Sequence, residues 1–181
     1  MGNVQILLRQ HVGAPCQAIV KAGDVVKKGT KIATPAGLGA NIFSSVYGVV
    51  EEVLEDRIVI KPDEEQKDEF VPIEVPDEND KLALVKEAGI VGMGGAGFPT
   101  GVKLGINLAE TEMAELDPEI NPELPAGFKL EHSYILINAA ECEPGLEHNI
   151  RQIEEQCDKV VRGVKYCMEI THADKAIFAI K

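Results

Sequence analysis

Tyr134-Ile135-Leu136-Ile137-Asn138-Ala139-Ala140-Glu141-Cys142-Glu143-Pro144-Gly145 is the stretch on which the fold turns. Its first five residues form a short apolar run of strand length, and the Glu-Pro-Gly that closes it is turn chemistry. Beyond it, Ile150, Ile153, Cys157, Val160, Val164 and Cys167 recur at helical spacing, which predicts one amphipathic helix from near His148 to about Glu169. Ala176 to Ile180 reads as a final strand. Strand, loop, helix and strand make an α/β unit with a parallel crossover. Such folds bind ligands at the carboxyl ends of their strands, which is where Asn138 to Gly145 falls.

The residue types there suit a polar heterocycle. Asn138 offers both a donor and an acceptor, and Glu141 and Glu143 are acceptors for ribityl or ribose hydroxyls. The bland alternative is that both carboxylates face solvent at a turn or favour the next helix's N-terminus through its dipole. Cys142, set between two glutamates, reads as a poor nucleophile.

Working back along the chain, Gly92-Met93-Gly94-Gly95-Ala96-Gly97-Phe98-Pro99 is the densest glycine run. Glycine costs backbone entropy, and the usual gain is close approach of N–H groups to a phosphate or a flat ring. Gly92, Gly94 and Gly97 fit GxGxxG, but a dinucleotide fingerprint needs a strand before the loop and a helix after it. Here a helix near Asp80 to Ala88, capped by Asn79 or Asp80 and striped by Leu82, Val85 and Ala88, precedes it, and Pro99 follows. The residues alone leave open whether the loop binds a ligand or only makes a tight connection. Lys103, just past it, is a candidate phosphate partner or a solvated lysine.

Residues 1 to 75 read as short strands and tight turns: Val4 to Leu8, Ala18 to Lys21, Lys31 to Thr34, Tyr47 to Val53 and Arg57 to Lys61, separated by glycines. Two stretches, VKAGDVVKKGTKIA and VYGVVEEVLEDRIVIK, each put a glycine turn between apolar strand residues, which predicts a small sandwich. An acidic, proline-bearing connection at 62 to 80, with an extended piece at Phe70 to Val75, marks the boundary. Residues 107 to 132, again acidic with Pro118, Pro122 and Pro125, read as a surface insertion.

Composition narrows the function classes. A net charge of -12 argues against nucleic acid and against a polybasic membrane anchor. No apolar stretch approaches the roughly 20 residues of a membrane span. The four cysteines, Cys16, Cys142, Cys157 and Cys167, show neither CxxC nor zinc or cluster spacing, so no metal ligand is assigned and a reducing cytoplasm is the expected home. Cys16 is open between a surface thiol and a redox role, and Cys157 and Cys167 read as core residues of the long helix. His11 reads as a turn or packing residue. With aromatics at 4% and no Trp, the core is expected from Val, Ile, Leu and Ala.

GMGGAGFPTGVK followed by a strand and NAAECEPG resembles the flavin-binding region shared by three groups: C subunits of Rnf-type complexes, the NADH-oxidising flavin subunit of respiratory complex I, and cobalamin reductases. HVGAPCQAIVKAGDVVKKGTKIA, running on to IFSSVYGVV, is similar to the barrel-sandwich domain that precedes the flavin region in the Rnf C subunits; in the cobalamin reductases it follows. HVGAPC, GLGANI and SSVYG look closest to the proline-reductase-associated branch. The resemblance implies a two-domain α+β and α/β chain: an all-β barrel-sandwich hybrid at 1–75, then at 76–181 the first half of a complex I flavin-subunit-like FMN-binding domain. It also resembles a biotinyl or lipoyl carrier, but Ala40 to Ser45 lacks the carrier lysine.

What the resemblance implies chemically is FMN held noncovalently, reduced by NADH, with electrons passed on to iron–sulfur clusters. Gly92, Gly94 and Gly95 would hold the FMN phosphate and ring, Lys103 the phosphate or flavin edge, and Asn138 and Glu141 the isoalloxazine or ribityl portion. Phe98 would stack on the adenine of NADH and Glu143 would position the NADH. No side chain is assigned as catalytic, since the redox chemistry belongs to the flavin. The complex I protein has an Arg where Met93 stands and an Asp where Ala140 stands, so two polar contacts to NADH are expected to be absent. The family extends further, with a ubiquitin-like linker and a ferredoxin-like domain carrying 4Fe-4S clusters, so residues 1–181 are expected to be inactive alone. Partners implied are other electron-transfer subunits or a reductase, at the inner face of the membrane without insertion. A non-enzymatic docking or scaffold module and a cobalamin reductase are the competing readings.

Overall fold

A computed structural model describes residues 2–92, 95–108 and 132–180. The chain divides into two compact units, one running to Lys103 and the other beginning at Leu104.

The first unit is built on two antiparallel sheets. One holds β1 (Val4–Leu7), β7 (Arg57–Pro62), β6 (Gly48–Val53) and β3 (Val25–Val26), in that order; the other holds β2 (Gln17–Ala18), β4 (Lys31–Thr34) and β5 (Ile42–Phe43). β1 runs in plain register against β7, Val4 opposite Ile60 and Leu7 opposite Arg57, whereas the β6–β7 register shifts between Val50 and Glu52. The inward residues form one cluster: Ile6, Leu8, Val26, Ile32, Ile42, Val50, Ile58 and Ile60, joined by Ala33 and Cys16. The aliphatic core expected from the composition is therefore present. Cys16, open to a surface reading from sequence, is a buried member of it. Ile58 is fully enclosed, so Ile58→Ala is expected to cost about 3 kcal/mol through lost transfer energy plus a cavity, measured by urea denaturation.

The acidic connection is laced to this sandwich. Tyr47 N–H donates to Gln66 Oε1 at 2.9 Å, Gln66 Nε2 returns a bond to the Tyr47 carbonyl at 2.8 Å, and the Val71 amide donates to the Lys28 carbonyl at 2.9 Å. The extended piece expected at Phe70 to Val75 forms no strand; single bonds such as that from Val71 hold it instead.

Helix α1 (Lys81–Glu87) starts where its cap predicts, with Asp80 Oδ1 accepting from the Ala83 amide at 2.8 Å. Val85 is its buried residue. Its C-terminal end is tied to the sandwich: Glu87 pairs with Lys31, and Asn41 Nδ2 donates to the Glu87 carbonyl at 3.1 Å. The glycine loop follows, and then, unlike the expectation that only a proline breaks the chain there, a four-residue helix α2 (Thr100–Lys103). Pro99 opens that turn, a position where its missing N–H has no helical partner to lose.

The second unit contains β8 (Tyr134–Ala139) and β9 (Lys175–Ile180), paired in parallel from Tyr134 opposite Lys175 to Ala139 opposite Ile180. The parallel crossover expected from the strand–helix–strand order is present. The crossover is two helices where one was expected, α3 (His148–Glu155) and α4 (Cys157–Thr171), with Gln156 between them at φ -130°. That non-helical residue resets the helical phase. Ile150, Ile153, Val160, Val164 and Cys167 remain half-buried, whereas Cys157 is turned out to solvent, contrary to its core reading. Thr171 ends α4 buried, and His172 leaves it in the left-handed region at φ 55°. The start of β9 is fixed by Asp174, whose carboxylate accepts from the Ser133 amide at 2.8 Å and hydroxyl at 3.0 Å. These bonds from Ser133 hold the Asp174 carboxyl below its ordinary range. One face of the β8–β9 pair is open: Leu136 is 67% exposed and its partner Ile177 48%. The acidic insertion expected at 107 to 132 falls largely outside the described residues.

Candidate functional site

The expected site residues fall in both units. In the first unit the glycine loop is a closed turn. Val91 bridges Pro99, the Gly92 amide donates to the Phe98 carbonyl at 2.9 Å, and the Thr100 amide donates to the Ile90 carbonyl at 2.8 Å. Gly92 looks across this turn toward Lys103, whose Nζ lies 4.0 Å from where a Cβ on Gly92 would stand. Gly95 has φ +64°, a conformation side chains rarely take, and opens onto free space. Met93 and Gly94 lie outside the described residues.

Phe98 is half-buried and Lys103 exposed, with the ammonium 5.5 Å from the ring centroid. A cation over an aromatic face is held weakly and stays available to an anion. Among the described residues Lys103 meets this ring and no carboxylate. Gly92, Phe98 and Lys103 are thus brought to one side of the loop, around the Lys103 ammonium.

A cleft of about 450 Å³ in this unit lies elsewhere, between Thr34, Ala40 and Asn41 of the sandwich and Ala83, Lys86 and Val102 of the helices. None of the expected site residues lines it. Volume alone does not mark a site, and here the cation and the open glycines do not coincide with it.

In the second unit the chain leaves β8 at Ala139 and folds back onto α3. Asn138 Oδ1 accepts from the Ala140 amide at 3.2 Å, and Asn149 Nδ2 donates to the Ala140 carbonyl at 3.2 Å. Glu141 is the centre of this turn. Its Oε1 accepts from the Asn149 and Ile150 amides at 2.7 and 3.1 Å. Glu147, the residue at the N-cap position, makes no side-chain cap bond, so Glu141 supplies the cap from six residues upstream. The helix-capping alternative weighed from sequence is therefore real for this oxygen.

The other oxygen is different. The Glu141 side chain is only 8% exposed, and Oε2 is buried with no hydrogen-bond donor aimed at it. His148 Nδ1 stands 3.0 Å away, off the line of a hydrogen bond, and contributes charge only when protonated. A buried carboxylate oxygen without a donor is costly, and it is a place where a ligand N–H or O–H would be bound. An anion would be repelled there. Glu141 to Leu146 enclose a hollow of about 220 Å³. Cys142 and Glu143 are exposed in its wall.

Each half, taken by itself, suits a part of a flavin nucleotide by chemistry. The loop side offers glycine main chain, an aromatic ring and an ammonium that meets no carboxylate among the described residues, suited to a phosphate and a flat ring. The turn side offers a donorless carboxylate oxygen, suited to ring N–H or ribityl hydroxyls. One contact went unread in sequence: Gly97, at φ +61°, packs on the main chain of Gln10 and His11, more than eighty residues away, and no local signal marks that pairing.

Residues 85–181 match the family model described as the Nuo51 FMN-binding domain, and residues 1–77 match that described as the RnfC barrel sandwich hybrid domain. The chain belongs to the RnfC family. It is 38% identical to the C subunit of the proton-translocating ferredoxin:NAD(+) oxidoreductase complex of Clostridium ljungdahlii, over 99% of this chain and 38% of that protein. It is 32% identical to the C subunit of the Na(+)-translocating ferredoxin:NAD(+) oxidoreductase complex of Acetobacterium woodii, over 98% of this chain and 39% of that protein. To the C subunit of the ion-translocating oxidoreductase complex of Rhodobacter capsulatus the identity is 33%, over 89% and 30%. The chain thus spans about two-fifths of the length of its first RnfC relatives. Among the described residues no helix is long and apolar enough to cross a membrane.

Proposed function

We propose that this RnfC-type chain supplies the flavin-binding part of a protein that takes electrons from NADH. The observation that carries the reading is that a model described as FMN-binding covers residues 85–181, the span that contains both the glycine loop and the Glu141 turn. The donorless Glu141 oxygen and the Lys103 ammonium, which meets no carboxylate among the described residues, support it independently.

In this reading Gly92, Gly94 and Gly95 hold the flavin through main chain, Lys103 neutralises its phosphate, and Asn138 and Glu141 accept from its ring or ribityl donors. Phe98 and Glu143 serve NADH, one by stacking and one by accepting from a hydroxyl. Bound FMN would supply hydride acceptance and one-electron release. The chain's own residues bind and orient; none moves a proton at a substrate atom. Onward acceptors, iron–sulfur clusters in this reading, lie outside residues 1–181, as do the subunits with which the chain would assemble. The sandwich preceding the flavin region favours this over a cobalamin reductase. The division into modules at 1–75 and 76–181, and placement in the proline-reductase-associated branch from HVGAPC, GLGANI and SSVYG, belong to the same proposal.

The test is FMN titration of the protein as its gene encodes it, followed by flavin fluorescence quenching. Lys103→Ala is expected to weaken FMN by about tenfold, the value of one charge-assisted contact of roughly 1.5 kcal/mol. It should leave binding of riboflavin, which has no phosphate, unchanged. Equal loss for both ligands would remove Lys103 from the phosphate, and no quenching by the unaltered protein would overturn the flavin assignment.

A further inference from the structure

The first unit carries a buried polar pair that the flavin reading does not use. His11 is 7% exposed and Cys16 3%, and His11 Nε2 lies 3.2 Å from Cys16 Sγ. Both edges of the imidazole are occupied. Nδ1 is 2.9 Å from the Val12 carbonyl, which can only accept, so Nδ1 carries the ring hydrogen and Nε2 is left as an acceptor. Burial pushes the Cys16 thiol up, so its sulfur keeps the proton and shares it between Nε2 and the Ala40 carbonyl, 3.3 Å away. The ring is also wedged sideways. A Cβ on Gly39 would stand 2.5 Å from His11 Cε1, so only glycine lets the 37–40 turn lie on the ring. Residues 10–16 and 39–40 are thereby clamped to one another by one imidazole and one thiol.

The glycine loop rests on this clamp. A Cβ on Gly97 would lie 3.1 Å from the Gln10 carbonyl oxygen and 3.3 Å from His11 Cα. A second anchor lies beside it, where Gly89 presses against the Asn41 carbonyl and the ring of Phe43. The loop is thus seated on sandwich main chain at both ends, and His11 fixes the shape of one seat.

We infer that the His11–Cys16 pair is a positioning element for the glycine loop, so that the sandwich forms the floor of the ligand site and is more than a docking appendage. This deepens the flavin reading, and one arm of its test stands without that reading. Buried pairs that hold a binding loop act through geometry, and a loop displaced by about 1 Å loses much of its affinity.

The experiment uses the protein as its gene encodes it, with four variants. His11→Ala removes both ring contacts, and His11→Asn keeps a donor for the Val12 carbonyl. Cys16→Ser keeps a donor for Ala40, and Ile58→Val lowers core stability far from the clamp in sequence. The first readout is hydrogen exchange of the loop amides, including Gly92, Gly95 and Gly97, in protein without flavin. His11→Ala is expected to speed their exchange at least tenfold, with His11→Asn in between and Cys16→Ser near the unaltered protein. Ile58→Val should leave the loop unchanged at the same loss of melting temperature. Loop exchange that simply follows melting temperature across all four variants, or that does not respond to His11→Ala, overturns the inference. The second readout is the FMN dissociation constant and the visible circular dichroism of bound flavin. Loss of both in His11→Ala, partial recovery in His11→Asn and unaltered values in Ile58→Val support a positioning role. Flavin binding unaffected by His11→Ala alongside faster loop exchange overturns the link to the ligand while leaving the flavin assignment standing.

Discussion

Replacing Glu141 with Gln is expected to leave the fold intact and to weaken flavin binding by ten- to a hundredfold. Gln keeps a carbonyl oxygen for the Asn149 and Ile150 amides, so the cap on α3 survives. What changes is the second position, where the donorless oxygen becomes an NH2 group and presents a donor to a ligand donor. A charge-assisted hydrogen bond of about 1.5–3 kcal/mol is lost there. Glu141→Ala removes the cap as well, and about 1–2 kcal/mol of stability should go with it. Thermal denaturation followed beside FMN titration separates the two effects. If Gln and Glu bind flavin equally, Glu141 is a helix cap and nothing more.

Gly97→Val is expected to abolish measurable flavin binding. Two penalties act together at this residue. The left-handed backbone costs an L side chain about 1–2 kcal/mol, and a β-branched one more. The added Cβ also arrives 3.1 Å from the Gln10 carbonyl, a fixed main-chain atom that cannot rotate away. The loop or its seat has to give by a few tenths of an ångström. Gly95→Ala is the contrast, because φ there is +64° but nothing lies within 4 Å, so only the conformational cost of about 1 kcal/mol applies. Titration of both variants should show a loss of about tenfold or less at Gly95 and one beyond detection at Gly97. Equal effects at both would mean that the backbone conformation matters and the seat does not.

Local signals in the sequence carried over well where the physics is local. Asp80 before an apolar helical stripe predicts α1, and the structure places the Asp80 cap bond on Ala83. The YILIN run, the helical stripe after it and the closing apolar run predict the parallel β8–β9 pair, which is present with plain register. Local reasoning failed where a distant partner decides. No proline or glycine marks Gln156, so the break between α3 and α4 is invisible to periodicity, and with it the exposure of Cys157. Pro99 reads as a stop but serves as the opening of α2. Cys16 follows a proline in a polar turn, yet is buried because His11 and the Ala40 carbonyl, 5 and 24 residues away, enclose its sulfur. The candidate site was legible as residue types in two segments. The division of labour in Glu141, one oxygen for the helix and one without a donor, required coordinates.

The contact beneath Gly97 is made to a carbonyl and a Cα, so the side chain at position 10 has no part in it. A change of side chain at Gln10 therefore leaves the carbonyl beneath Gly97 in place. A flavin region transplanted behind some other β-sandwich would inherit its glycines but lose the surface they were shaped to lie on. Recombination between such genes should succeed only where the crossover carries residues 10–16 and 39–41 along with the loop.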